Sequence, residues 1–407
     1  MRQSSGTFRV STLVGCLVAQ LCVGIIYLWS VFKADAMSYY GWADGSVNMV
    51  ASFMLFCFCA GNLLGGALQD RTNPRLSALI GILLFGGGIL LSSLIPATGS
   101  IVLFYITYCV MGGLGSGFVY GSALNCLQKW LPHRRGLATG LAASTFGLST
   151  VVFSPVCSWL LGAMPMPMAL RTLAGVLFVI GFVATLFISL PDGAYLSKLK
   201  LPGGGSGGGE RSMTTTQAMV TLPFWCLFLS MFLFNATWNM LTPLIKGLGM
   251  ERGLSEGLAV LAVSLTGLTN AAGRLFMSTL SDKIGRIATL NILCVVTLAC
   301  ALLLIFAGGP LYLVVVLVTA FAYGGPAAVN PALCTDLFGP KFSGTNYGVA
   351  MLSLGLSSVV FNAISNVLYA ASGAYVATFV MGGVTAVLAM ALVLIIGRYA
   401  KRAKAAV

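Results

Sequence analysis

The sequence predicts an all-α membrane protein, with twelve transmembrane helices arranged as two six-helix bundles. Three observations lead there. Hydrophobic residues make up 58% of the 407 and charged ones only 8%, too few to cover the surface of a water-soluble domain. Apolar runs long enough to cross a bilayer recur about twelve times along the chain. The second half of the sequence also repeats the first. A β-barrel would alternate over about ten residues per strand, and these runs do not.

The first six runs lie at 8–32, 46–69, 76–96, 101–128, 136–160 and 168–190. The last six lie at 218–245, 256–281, 287–307, 310–334, 344–371 and 373–397. The first continues into Tyr27 and Trp29 with no small-residue cleavage site behind it, so it reads as a retained span, not a signal peptide. Fifty glycines, many inside the runs, suit helices packed backbone to backbone. Residues 203–209 are Gly and Ser only, the composition of a flexible coil. That tract reads either as an engineered spacer in place of a longer loop or as a natural linker, and it carries no chemistry. It divides the chain into an N-terminal bundle, 1–190, a linker, 191–217, and a C-terminal bundle, 218–407.

The repeat has two registers. At an offset of 208, Gly147-Leu-Ser-Thr-Val-Val-Phe153 returns as Gly355-Leu-Ser-Ser-Val-Val-Phe361, and Pro132, Gly136 and Gly140 return as Pro340, Gly344 and Gly348. At an offset of 212, Asp70-Arg71 returns as Asp282-Lys283, each followed by a further cation, Arg75 and Arg286. Duplication predicts two bundles in parallel orientation with a path between them.

Charge sets the orientation. Of the 22 Lys and Arg, 17 fall on the side of the N-terminus, and four, Lys33, Arg171, Lys246 and Arg252, on the other. The asymmetry predicts both termini in the cytoplasm of a plasma (bacterial inner) membrane protein. The net charge of +13 is therefore a topology and lipid-surface signal and implies no nucleic-acid partner. The eleven cysteines and the single His133 show no metal, haem or redox spacing. No nucleophile–base constellation appears either, so neither a cofactor nor enzymatic catalysis is expected.

One residue breaks the apolar pattern. Arg274 lies inside the eighth run, about 12 Å from Asp282 at the helix end, in a hydrocarbon core about 30 Å thick. A charge at that depth costs at least about 2.5–3.5 kcal/mol. No Asp or Glu in the sequence stands at a matching depth. A span that keeps such a charge is expected to use it on an anion, since a planar guanidinium holds a carboxylate by two parallel bonds.

The pattern Gly66-x-x-x-Asp70-Arg71-x-x-x-Arg75 and its counterpart Ser278-x-x-x-Asp282-Lys283-x-Gly285-Arg286 resemble the major facilitator superfamily. A narrower resemblance is to its oxalate/formate antiporter family, close to the monocarboxylate transporters. It rests on Gly24–Phe32, Val119–Asn125, Arg135–Gly140 with Phe146–Leu148, Asn270–Leu275, Asp336–Gly339 and Asn346–Gly348. The resemblance implies a monomeric secondary transporter whose Arg274 binds the substrate carboxylate. It also implies aromatic cavity positions at Tyr27, Tyr120, Phe146 and Tyr323. Leu354 stands where the oxalate transporter has a second cation, so a small monocarboxylic acid is expected in place of a dicarboxylate, its apolar part against Leu354. Asn239 and Asn330 are the intramembrane amides expected to meet substrate, from their Gly/Pro-interrupted surroundings.

Asp70, Arg71, Arg75, Asp282, Lys283 and Arg286 are expected to form an ion-pair latch at the cytoplasmic helix ends, stabilising the outward-open state. Asn73 replaces the usual glycine there and is expected to tolerate a left-handed turn. With no carboxylate inside a span, either the acid carries its own proton or the protein exchanges one anion for another. The competing readings are an oxalate/formate-type exchanger and, from another class, a membrane acid sensor.

Overall fold

The computed structural model describes residues 10–42, 44–192, 194–195 and 212–405; the side chains of 27, 30, 44, 45, 48 and 401–405 lie outside the description. The Gly/Ser tract falls outside it too. Among the described residues there is helix and no strand. Eleven helices are long and apolar enough to cross a membrane, and a bent pair makes a twelfth.

We number the spans α1 to α12. α1 is the bent pair, Val10–Ile26 and Val31–Tyr40, set at 48°. The bend follows Gly24, where an added Cβ would stand 2.6 Å from the Cβ of Ser149, so the glycine lets the chain press against its neighbour. Next come α2 (Met49–Arg71), α3 (Pro74–Ser92), α4 (Ile101–Trp130), α5 (Pro132–Ala163) and α6 (Met166–Leu186). The second half supplies α7 (Leu222–Glu251), α8 (Glu256–Ile284), α9 (Arg286–Phe306), α10 (Gly309–Phe338), α11 (Ser343–Ser372) and α12 (Val376–Ala400). Hydrophobic runs mark the spans because every backbone polar group must bond within its own helix once water is gone.

Helix ends are punctuated by local chemistry. Ser100 and Ser255 cap α4 and α8, and Gly41 and Gly373 end their helices in left-handed geometry. At Asn73 the expectation of a left-handed turn is corrected. Its backbone is extended, at φ −154° and ψ 155°, and its side chain accepts the Leu76 N–H at 2.8 Å, capping α3. Proline at the first position of α3 needs an N-cap more than it needs a flexible turn.

The two halves meet chiefly along two helix pairs, α2 with α11 and α5 with α8, with smaller contacts of α5 with α10 and α4 with α11. Repeated glycines set these crossings. A Cβ on Gly136 or Gly140 would collide with Ser278 of α8, and one on Gly348 would stand 2.6 Å from the Cα of Leu63 on α2. Farther along the same helices, a Cβ at Gly147 would sit 3.6 Å from Ala271, one at Gly267 3.8 Å from Val151, and one at Gly355 3.4 Å from Phe56. The halves are therefore in tightest contact at the helix ends that carry Asp70 and Asp282, and the crossings loosen to ordinary van der Waals contact away from that face.

Candidate functional site

Arg274 sits on α8 where it crosses α5. It is 4% exposed, and its Nη1 donates to the Ala143 carbonyl of α5 at 2.9 Å. Gly147 makes room for it, since a Cβ there would lie 3.8 Å from the Arg274 Cζ. The 212-residue offset pairs Arg274 with Asn62 of α2, whose Nδ2 donates to the Met351 sulfur of α11 at 2.8 Å. The pseudo-symmetric crossings thus carry a cation on one side only.

A cavity opens beside the guanidinium, between the halves. Phe58, Tyr120 and Phe146 line it from the first half; Met231, Asn235, Arg274, Tyr323, Ala327, Tyr347, Met351 and Leu354 line it from the second. Its volume is about 30 Å³, room for two or three waters when a single water needs about 10–15 Å³. Phe58 and Phe146 stack at 5.3 Å, and Tyr120 meets both edge-on, at 5.2 and 5.0 Å, so one wall is a rigid aromatic cluster. Tyr323 stacks on Trp238 at 5.1 Å. Arg274 is the one charged residue among the described lining.

Of the residues singled out from sequence, Arg274, Tyr120, Phe146, Tyr323 and Leu354 are brought together here. Asn239 instead donates to Ser357 of α11 at 3.1 Å, and neither it nor Asn330 is part of the lining. The side chain of Tyr27 lies outside those described. Sequence reasoning passed over Phe58 and Tyr347, and it placed Asn235 behind Asn239 and Asn330. Asn235 was visible as an intramembrane amide; the break in α7 between Leu222–Phe234 and Ala236–Leu241 brings it to the cavity.

The tight face is held by carboxylates at helix N-termini. Asp70 of α2 accepts the backbone N–H of Thr345 at 2.7 Å and its hydroxyl at 2.8 Å, at the start of α11. Asp282 of α8 accepts the N–H groups of Gly136 and Leu137, at 2.9 and 2.8 Å, at the start of α5. Each carboxylate faces the positive end of a helix from the opposite half. Arg286 binds Asp282 at 2.6 Å and Asp336 at 3.1 Å, and Asp336 also binds Arg135 at 2.9 Å. Arg75 donates to the Ile188 carbonyl at 3.0 Å, while Arg71 and Lys283 are exposed. The bonds across the halves here include carboxylate–backbone contacts, the Arg135–Asp336 ion pair and hydroxyl bonds from Thr139 to the Ala328 carbonyl, Thr335 to Gln128 and Ser343 to Asn125.

A multi-pass helical membrane protein with a cavity between two duplicated halves has the architecture of a carrier. Residues 13–361 match the model of the Major Facilitator Superfamily, and the chain belongs to that superfamily of transporters. Among relatives, the oxalate:formate antiporter of Oxalobacter formigenes is 24% identical over 86% of this chain and 81% of its own. An uncharacterized MFS-type transporter, YhjX, of Escherichia coli K12 is 28% identical over 86% of each chain. Monocarboxylate transporter 13 of Rattus norvegicus is 24% identical over 89% of this chain and 82% of its own. Among solved structures, the transporter FucP in its outward conformation aligns at a TM-score of 0.72 with 14% identity, covering 96% of this chain and 99% of that one. The proton:xylose symporter XylE aligns at 0.72 with 17% identity, covering 96% and 95%.

Proposed function

We propose that this protein is a secondary transporter that carries a small organic monocarboxylate across the membrane by alternating access about Arg274. The observation that carries the reading is a single buried guanidinium on a cavity between the halves, walled by aromatic and aliphatic side chains. In such surroundings a charge-assisted pair is worth more than in water, and the fork geometry selects a carboxylate. Leu354 adds apolar surface where a second cation would favour a second carboxylate.

The cavity in this conformation is narrow, so larger acids require side chains to withdraw, and the aromatic wall sets which acids fit. With the termini in the cytoplasm, the tight face is the cytoplasmic one and the conformation is closed inward. Turnover then requires the Asp70 and Asp282 contacts to break as the anion is bound, exposing Arg274 to the other side. The names of two relatives, an oxalate:formate antiporter and a monocarboxylate transporter, support a carboxylate cargo.

The test is thermal stabilisation of the purified protein by formate, acetate, lactate, pyruvate and oxalate, with Arg274→Ala alongside. Monocarboxylates are expected to stabilise the native chain and not the variant. Equal stabilisation of both would remove Arg274 from the site; preference for oxalate would favour the dicarboxylate exchanger. Counterflow in proteoliposomes without a pH gradient separates exchange from net uptake that requires a proton.

A further inference from the structure

We propose that Asn235 is a specificity-determining residue whose carboxamide oxygen accepts a hydrogen bond from the substrate, so that the preferred cargo is a monocarboxylate bearing a hydroxyl next to its carboxyl. The proposal rests on the reading of Arg274 as the carboxylate anchor and goes beyond it, because it concerns the rest of the molecule carried.

The orientation of the amide is fixed by its neighbour. Asn235 Nδ2 lies 2.5 Å from the Met231 carbonyl, which can only accept, so the nitrogen is assigned and the oxygen points elsewhere. That oxygen does not cap the helix that begins at Ala236. No described residue donates to it. Asn235 is 8% exposed and lines the cavity that holds Arg274. The oxygen is therefore available to a donor hydrogen of whatever occupies the cavity, and a ligand that displaces water without supplying a donor leaves it unpaired.

Chemistry then narrows the ligand. A carboxylate brings only acceptors, and a 2-oxo group adds another; either would face the Asn235 oxygen lone pair to lone pair. A hydroxyl on the neighbouring carbon brings a donor hydrogen. Tyr347 is 3% exposed, lines the same cavity and has no hydrogen-bond partner among the described residues. Its phenol can donate to the carboxylate beside Arg274, leaving the acceptor role to Asn235. The aliphatic end of the acid would rest on Met231, Met351 and Leu354.

Three acids of matched carbon number read this out: lactate, pyruvate and propionate, titrated against the purified full chain by calorimetry or tryptophan fluorescence. Lactate is expected to bind about ten-fold more tightly than propionate or pyruvate, the scale set by leaving a buried acceptor unpaired. Asn235→Ala is expected to bring the three within about three-fold of one another, with lactate losing more affinity than propionate or pyruvate. A polar residue with a purely structural role would move all three together. Wild-type titration with 2-methoxypropionate, which lacks only the donor hydrogen, gives the same answer without a variant and should bind as weakly as propionate. Equal affinity of the native chain for all three acids, a lactate preference that survives in Asn235→Ala, or propionate overtaking lactate as pH falls and its carboxyl becomes the donor would each overturn the proposal. Those results leave the carboxylate carrier standing. If no acid binds the native chain, the failure is in the reading of Arg274 instead.

Discussion

Asp70 holds Thr345 twice, through its backbone N–H at 2.7 Å and its hydroxyl at 2.8 Å, and so ties the end of α2 to the start of α11. Its repeat partner Asp282 does the same between α8 and α5, with two backbone N–H groups in place of one and a hydroxyl. Because both links cross between the halves at one face, they define the state of the carrier that is closed on that side.

Neutralising one link should shift that state. Asp282→Asn keeps the shape but removes the charge facing the α5 terminus and Arg286, a loss of about 1–2 kcal/mol. Spin labels at Arg134 and Lys283, exposed residues on opposite halves, should report a longer-distance population that rises several-fold. The native cysteines are all buried, so labels go to the introduced ones. An unchanged distance distribution would mean that the contact does not govern closure.

Bulk at the crossings should act in the same direction by a different route. Gly140→Val places carbon where Ser278 already stands, and Gly348→Val does so against Leu63. Each variant should be unable to close this face fully and should lose most transport while retaining helical content by circular dichroism. Normal uptake by Gly140→Val would show that the crossing can give way.

Removing Asp336 should matter less. Its side chain is 37% exposed, and although it links Arg135 with Arg286, exposed ion pairs contribute at most about 1 kcal/mol. Asp336→Asn is expected to lower the melting temperature by only a few degrees, with little loss of transport. A collapse in stability would make this the principal tie of the face.

A second cation should change the cargo. Leu354 lines the cavity with Arg274, so Leu354→Lys places an ammonium where a second carboxylate could be met. Oxalate should then compete with labelled monocarboxylate more strongly than it does in the native chain. If the competition profile stays as it was, Leu354 does not set the charge of the substrate.

The hydrophobic runs located the spans because lipid imposes the same requirement on every residue of a helix, whatever its neighbours. The first apolar run ends at 32, before Lys33 and Asp35, yet helix continues through Trp29–Tyr40. Trp29, Phe32, Ala36 and Tyr40 are buried on one face of that stretch, at the three- and four-residue spacing a linear count of apolar residues does not weigh. Arg274 could be singled out in the same one-dimensional way, because a charge at mid-span is costly in any arrangement. Asn239 and Asn235 are both intramembrane amides; Gly/Pro-interrupted surroundings put Asn239 first, yet the break in α7 sets Asn239 on Ser357 and Asn235 on the cavity. The tie from Arg75 to Ile188 is likewise a matter of which helix end lies nearest.

By itself, then, the sequence determined how many times the chain crosses, that its halves are copies, and where its one costly charge sits, since each follows from local composition and spacing. Only the tertiary structure decided which residues share the cavity, how small it is, and which helix termini the two aspartates hold. Those depend on the rotation of each helix about its own axis, and that rotation is set by packing among several helices at once.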